Sequence, residues 1–144
     1  MGKVSASSSI DTPVAPAAAL AALADYETVR PRILTAHFRD YTVVSGGQGD
    51  GTIVEWILQA TESRSRNIQA VVSVAGNTVT ERDNNSSLVT TYTVESAGAG
   101  SKVTTKTEWT GAGGIGGFFE KTFAPLGLKK IQAELLSNLA TELA

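Results

Sequence analysis

The feature that most constrains the fold is a series of short β-type segments that follows Pro31. Threonine, valine, isoleucine and aromatic residues recur there in runs, and glycine or polar clusters interrupt the runs about every ten residues. Runs of this length, separated by turn residues, are typical of an antiparallel meander. The sequence therefore predicts six consecutive strands, near residues 34–45, 51–62, 66–75, 77–84, 87–97 and 101–110.

A further strand and two short helices are predicted before this meander. Residues 3–10 alternate between apolar and polar side chains, as a strand with one solvated face does. Thr12 and Pro13 mark a helix start, unless Pro16 opens that helix itself. A second short helix follows and is limited by Pro31, because the residue before a proline disfavours helical conformation.

A long amphipathic helix is predicted at the C-terminal end of the chain. We expect a first turn or two from about Gly116, a break at Pro125 and a long helix to about residue 142. A single helix about 10 Å wide is too slender to fill the concave face of a long sheet, so the arrangement leaves space between them. The residues that form the apolar face of this amphipathic segment are Phe119, Phe123, Leu128, Ile131, Leu135, Leu139 and Leu143.

The absence of cysteine and the single histidine, His37, exclude several kinds of site. Without cysteine the chain has no disulfide, thiolate nucleophile, iron–sulfur cluster or thiolate zinc site. One imidazole cannot form a multi-histidine metal site, and we expect neither a metal nor a cofactor. The length of 144 residues fits one domain, spanning residues 1–144.

Charge and hydropathy argue against two classes of partner. The net charge is −2 and the basic residues are scattered, so we expect no nucleic-acid binding. No apolar run reaches about 18 residues, so we expect no stable membrane insertion. The apolar segment 14–24 is similar to the core of a signal peptide, but Asp11 precedes it and Asp25 follows it, so we interpret it as a helix of the domain. These features predict a cytoplasmic protein.

Two glycine-rich segments have simple structural interpretations. Residues 111–116 match the GxGxxG pattern of dinucleotide-binding sites, but no parallel βαβ unit with an acidic residue after a second strand follows them. Residues 46–51 lack the lysine that ends a phosphate-binding loop, and they predict a hairpin connection that lies near the mouth of a pocket.

The orientation of several polar side chains is left open by the sequence. His37 is expected to be structural, and Asp40 would not reach it without a bulge. Arg82 either faces solvent or points inward, where it would pair with the strand neighbours of Glu81 or hold a ligand carboxylate. In the strand at 87–97, Leu88 and Tyr92 face inward unless a bulge exchanges them for their neighbours.

The inward face of the predicted sheet combines aromatic residues with hydroxyl groups. Trp56 and Trp109 fall on it, and Thr105 and Thr107 alternate with apolar neighbours on the last strand. Threonine hydroxyls are of little use in a dry core, but they can orient a ligand in a cavity.

The order of these elements resembles that of the helix-grip superfamily, which includes START lipid-transfer domains, the birch-pollen allergen class and bacterial polyketide cyclase/dehydrase-like proteins. The likeness covers essentially the whole chain and is carried by segments 10–13, 22–26, 49–52 and 98–103, together with the leucine-rich terminal helix. The resemblance implies an α+β fold in which a curved, seven-stranded antiparallel sheet wraps around a long C-terminal helix. Two short helices lie between strands 1 and 2.

The resemblance also implies a hydrophobic cavity between the sheet and the terminal helix. Matching residues to the family pattern places Phe38, Phe119 and Phe123 toward its entrance. The other residues implied to bind a ligand are Val54, Trp56, Leu58, Tyr92, Val103, Thr105, Thr107, Trp109, Ile131 and Leu135.

The function favoured by these observations is non-catalytic binding of one small hydrophobic molecule, such as a lipid or a polyketide. Cyclase and dehydrase members are thought to use polar cavity groups as acids and bases, and this chain offers no dense set of them, so we assign no catalytic residue. It also has Arg32 and Ile33 where bacterial relatives commonly carry a tryptophan. A first alternative is a cyclase, aromatase or dehydratase-like enzyme that uses an inward Arg82, Tyr92 or His37. A second is a protein-interaction module with a collapsed cavity, whose protein partner the sequence does not identify.

Overall fold

The chain forms one sheet and three helices in a computed structural model that describes residues 3–61, 64–110 and 125–144. The elements in chain order are β1 (Lys3–Thr12), α1 (Pro16–Leu23), α2 (Arg30–Ile33), β2 (Phe38–Ser45), β3 (Ile53–Thr61), β4 (Arg64–Ala75), β5 (Thr78–Asp83), β6 (Val89–Ala97), β7 (Gly100–Thr110) and α3 (Pro125–Leu143).

The seven strands form a single antiparallel sheet in the order β1-β7-β6-β5-β4-β3-β2. Strands β2 to β7 follow one another as a meander, and β1 pairs along its whole length with β7, from Lys3 opposite Thr110 to Thr12 opposite Ser101. The predicted α+β helix-grip architecture is confirmed.

One face of the sheet packs against the terminal helix, and the other faces solvent. On β7 the alternation is regular, with Val103, Thr105 and Trp109 buried while Lys102 and Lys106 are exposed. Helix α3 lies against β1 and α2. Its buried residues recur three or four positions apart, as an apolar helix face requires, and are Leu128, Ile131, Gln132, Leu135, Leu136 and Leu139.

The proline positions correct part of the helix prediction. Pro31 lies in the first turn of α2 and does not end a preceding helix. The reason is that the first turn leaves backbone N–H groups unbonded in any helix, so a proline there loses nothing. Pro16 opens α1, while Thr12 ends β1. The turns expected from Gly116 lie outside the described residues.

Strand β2 begins at Phe38, later than predicted, because a turn precedes it in which the Phe38 N–H donates to the Thr35 carbonyl at 3.1 Å. The pairing with β3 shifts register between Arg39 and Thr42, and Asp40 adopts a positive φ of 54° within this bulge. His37 therefore lies just before the strand and not on it.

The glycine-rich connection at 46–51 is docked against the chain between α1 and α2. The Tyr26 N–H donates to the Gly47 carbonyl and the Gly49 N–H to the Ala24 carbonyl, both at 2.9 Å. Asp25 and Gln48 form an isolated β-bridge. None of its residues is among those that line the cavity described below. Of the helices in the described ranges, none has the length and apolar character needed to cross a membrane.

Candidate functional site

A cavity lies between the inner face of the sheet and α3. Its volume is about 50 Å³, which is room for more than one water molecule. The cavity in this conformation is therefore smaller than a preformed ligand pocket, which typically has a volume of a few hundred Å³. The residues that line it are Phe38, Trp56, Leu58, Glu81, Leu88, Thr90, Tyr92, Thr105, Thr107, Trp109, Leu128, Ile131, Gln132 and Leu135.

The period-two geometry of the strands brings these side chains to one place. Trp56 and Leu58 alternate on β3, and Thr90 and Tyr92 do so on β6. The pairings of β6 with β5 and β7 continue without a register shift, so no bulge turns Tyr92 away from the cavity.

Most of the residues singled out from the sequence meet in this lining. Val54 and Val103 are fully buried but do not border the cavity. Phe119 and Phe123 lie outside the described residues. A role in ligand binding stays a prediction for all of them. The predicted residues that line the cavity are Phe38, Trp56, Leu58, Tyr92, Thr105, Thr107, Trp109, Ile131 and Leu135.

Five residues of the lining were not singled out as ligand-binding: Glu81, Leu88, Thr90, Leu128 and Gln132. Glu81 belongs to an alternating set on β5 in which Val79, Glu81 and Asp83 are buried. This alternation places Glu81 on the inner face of the sheet. The sequence did not reveal it, because inward positions are recognised by their apolar side chains and Glu81 carries a carboxylate.

The two polar groups left open by the sequence lie away from the cavity lining. Arg82 is exposed on the outer face of the sheet. His37 is half-buried, and its Nδ1 lies 2.8 Å from the Gln59 carbonyl oxygen. Tyr92 is the only one of the three candidate acid–base residues among the described lining residues.

A buried ion pair joins Glu81, which lines the cavity, to Arg30, which does not. Arg30 Nη1 lies 2.6 Å from Glu81 Oε2, and both side chains are at most 5% exposed. The Tyr26 hydroxyl donates to the same oxygen at 2.6 Å, and Arg30 Nη2 donates to the Leu23 carbonyl at 3.2 Å. The guanidinium also lies over the Tyr26 ring, 4.4 Å from its centroid, and 5.2 Å from that of Tyr92. These contacts hold the Glu81 carboxylate in place at the cavity.

Burial keeps the two tyrosines of this cluster neutral. Burial raises the pKa of Tyr26 well above its usual range, and its hydrogen bond to Glu81 adds to the rise. Burial, followed by the nearby charge of Glu81, raises the pKa of Tyr92 in the same direction. Neither phenol is therefore a base at neutral pH.

Two further polar groups of the lining have unused hydrogen-bonding capacity. Gln132 Nε2 donates to the Ala6 carbonyl and to Thr107 Oγ1, both at 3.1 Å. Its Oε1 and the indole Nε1 of Trp56 are buried and have no partner among the described residues. A buried polar atom without a partner costs about 1–3 kcal/mol. Both residues belong to the cavity lining.

Comparison with known proteins extends over the whole chain. The family described as "Polyketide cyclase / dehydrase and lipid transport" matches residues 1–144. The NMR structure of the KanY protein (ms6282) is 59% identical, with a TM-score of 0.91 and 99% of each chain covered. No protein with a curated description matches the sequence significantly.

Two more distant structures share the fold. TTHA0849 from Thermus thermophilus is 14% identical with a TM-score of 0.75, and 97% of each chain is covered. A START superfamily protein from Mycobacterium smegmatis is 8% identical with a TM-score of 0.69, covering 99% of this chain and 97% of its own.

Proposed function

Because this chain belongs to the polyketide cyclase/dehydrase and lipid-transport family, we propose that it binds one small, mainly apolar molecule between the sheet and α3. The observation that carries this proposal is the cavity lining, in which aliphatic and aromatic side chains of β3, β6, β7 and α3 surround a few hydroxyl groups. Such a mixture, an apolar wall with a small number of polar groups, is characteristic of small-molecule sites.

Burial of apolar surface supplies the affinity. A ligand that removes about 200 Å² of apolar surface from water gains roughly 5 kcal/mol before the losses of translational and rotational freedom. Discrimination then comes from the shape of the cavity and from its hydroxyl and indole groups.

The ligand must enlarge the cavity, since about 50 Å³ is too little for a drug-sized molecule. The expected moving part is α3, which is tied to α2 by only a few polar contacts. Asn138 Nδ2 donates to the Ile33 carbonyl at 3.0 Å, and Nη1 of the exposed Arg32 lies 3.0 Å from Glu142 Oε2. A surface ion pair of this kind contributes about 0–1 kcal/mol, so it offers little resistance to a shift of the helix.

Titration with N-phenyl-1-naphthylamine, a neutral fluorophore that brightens in apolar surroundings, tests this function. We expect saturable binding and a change in the emission of Trp56 and Trp109, which line the cavity. Saturable binding should be lost when Thr90, which faces the cavity, is replaced in Thr90→Phe. The matched control is Thr91→Phe, the next residue on the outer face, which should bind as the unchanged protein does. Absence of binding, or equal binding by both variants, contradicts the proposal.

A second candidate, a cyclase or dehydratase-like enzyme, is favoured by one observation: the Glu81 carboxylate and the Tyr92 phenol both line the cavity. A carboxylate and a neutral phenol in one site can serve as base and acid toward a β-keto chain. Mass spectrometry after incubation with a poly-β-keto thioester separates the two functions. A carrier returns its ligand unchanged, a dehydratase returns it without the elements of water, and a cyclase returns a ring isomer of the same mass that chromatography separates from the open chain. Tyr92→Phe would abolish either turnover.

A further inference from the structure

We propose that the cavity selects uncharged ligands that carry a hydroxyl group, and that this hydroxyl donates a hydrogen bond to Glu81. The inference rests on the proposed function and deepens it, because it names the chemical class of ligand. Its basis is the hydrogen bonding of Glu81, whose contacts with Arg30 and Tyr26 both involve the same carboxylate oxygen.

The carboxylate of Glu81 has one oxygen left for a ligand. Its bonds from Arg30 Nη1 and from the Tyr26 hydroxyl both end on Oε2. Within the described residues no hydrogen bond to Oε1 is present, although Glu81 is only 5% exposed and lines the cavity. A carboxylate accepts through both oxygens, so Oε1 is positioned to receive a donor from a bound molecule.

The charges around Glu81 favour a neutral donor. Arg30 and Glu81 together are neutral, and Glu81 is the only charged residue among those described in the lining. A carboxylate ligand would meet the Glu81 carboxylate, and Arg30, whose Nε has no described partner, is not among the lining residues that could receive it. A cationic amine would leave one net positive charge buried beside Arg30, which is costly in an apolar interior. A hydroxyl group gives the hydrogen bond without either penalty.

Two other polar atoms of the lining agree with a hydroxylated ligand better than with a hydrocarbon. Gln132 Oε1 and Trp56 Nε1 are both buried without a described partner. A hydrocarbon that displaced water from the cavity would leave these two atoms and Glu81 Oε1 unpaired.

Competition against N-phenyl-1-naphthylamine tests the inference on the unchanged protein, with 2-naphthol, naphthalene and 2-naphthoate as three ligands of one shape. We expect 2-naphthol to bind about tenfold more tightly than naphthalene, as a hydrogen bond to a charged group predicts. The naphthoate should bind most weakly. Equal displacement by naphthol and naphthalene, preference for naphthoate, or no displacement by any of the three overturns the inference while the proposed function stands. If the fluorophore itself does not bind, the proposed function fails and this inference fails with it.

A double variant assigns the preference to Glu81. Glu81→Gln alone leaves the buried Arg30 without its counterion and endangers the fold. Arg30→Met combined with Glu81→Leu replaces the pair by apolar side chains, which is usually tolerated. This protein should bind naphthol and naphthalene with similar affinity, whereas Arg82→Met on the outer face should retain the tenfold preference. A preference retained by a folded double variant overturns the assignment; if that variant does not fold, the ligand series on the unchanged protein still decides.

Discussion

Tyr26, Arg30 and Glu81 form a charged and hydrogen-bonded cluster inside a mainly apolar interior. A buried ion pair contributes little net stability, because desolvation of the two charges offsets their attraction, but loss of one partner costs about 3–5 kcal/mol. The cluster therefore matters more for where it holds Glu81 than for how much it stabilises the fold. The rings of Tyr26 and Tyr92 against the guanidinium add cation–π contacts that keep Arg30 in position.

The raised pKa of Tyr26 predicts a loss of stability in alkaline solution. Burial raises this pKa above the value near 10 of an unfolded chain, so above about pH 10 the unfolded state releases a proton that the folded state retains. The stabilisation is complete below about pH 10 and is lost as pH rises toward the folded pKa. Urea unfolding between about pH 9 and pH 11 should show the free energy of unfolding falling, and falling less steeply in Tyr26→Phe. A tyrosine absorbance titration of the folded protein in which all three tyrosines ionise near pH 10 would contradict this expectation.

The residues of the site differ in how far sequence could predict them. Trp56, Thr105 and Trp109 are recognisable from their alternation with polar neighbours on long strands. Glu81 is not, because a buried carboxylate is recognised only from its partners, and Arg30 is 51 positions away in the chain. Contacts of this kind depend on the path of the whole fold and not on local pattern.

The junction between β1, α1 and β7 is a point of very close approach between elements. A Cβ atom added at Gly100 would overlap the Thr12 carbonyl oxygen and lie 3.1 Å from the Pro13 Cα, both of which are backbone atoms. Ser101 reinforces the junction, because its hydroxyl donates to the Val14 carbonyl at 2.6 Å. The close approach fixes the point at which the chain leaves β1 for the first helix.

Replacement of Gly100 by alanine is therefore expected to destabilise the fold strongly. The backbone of β1 must move to admit the methyl group, and we expect a loss of about 3 kcal/mol or more in the free energy of unfolding, measured in urea. The matched control is Gly98→Ala in the preceding turn, where φ is +57° but the space is open, so only about 1 kcal/mol of backbone strain is expected. Equal losses in the two variants would refute the steric explanation.

A strand could be predicted where one face is solvated and the other is buried, as on β7, because apolar and polar residues then alternate in the sequence. The first and last residues of the elements were harder to predict. Pro31 fits both the end of one helix and the first turn of the next, and the local sequence pattern does not decide between them. The late start of β2 likewise follows from a turn and a bulge that have no signature in hydropathy.

For the whole molecule, occupation of the cavity should raise the melting temperature. A ligand that binds only the folded state adds about 2.7 kcal/mol at a free concentration one hundred times its Kd. For a domain of this size that corresponds to roughly 5–10 °C, measurable by calorimetry with 2-naphthol. Thr90→Phe should abolish the increase and Thr91→Phe should retain it. An unchanged melting temperature at saturating naphthol would show that the molecule does not bind in the folded protein.

The pairing of β1 with β7 also has a consequence for synthesis on the ribosome. The partner of residues 3–12 is made about ninety residues later, so β1 leaves the exit tunnel long before the strand that completes it. Until then the backbone N–H and C=O groups of β1 are unpaired and can bond to non-native strands. The pairing of β1 with β7 is a late, long-range step in folding. Chaperone dependence during translation should therefore concentrate on this N-terminal strand.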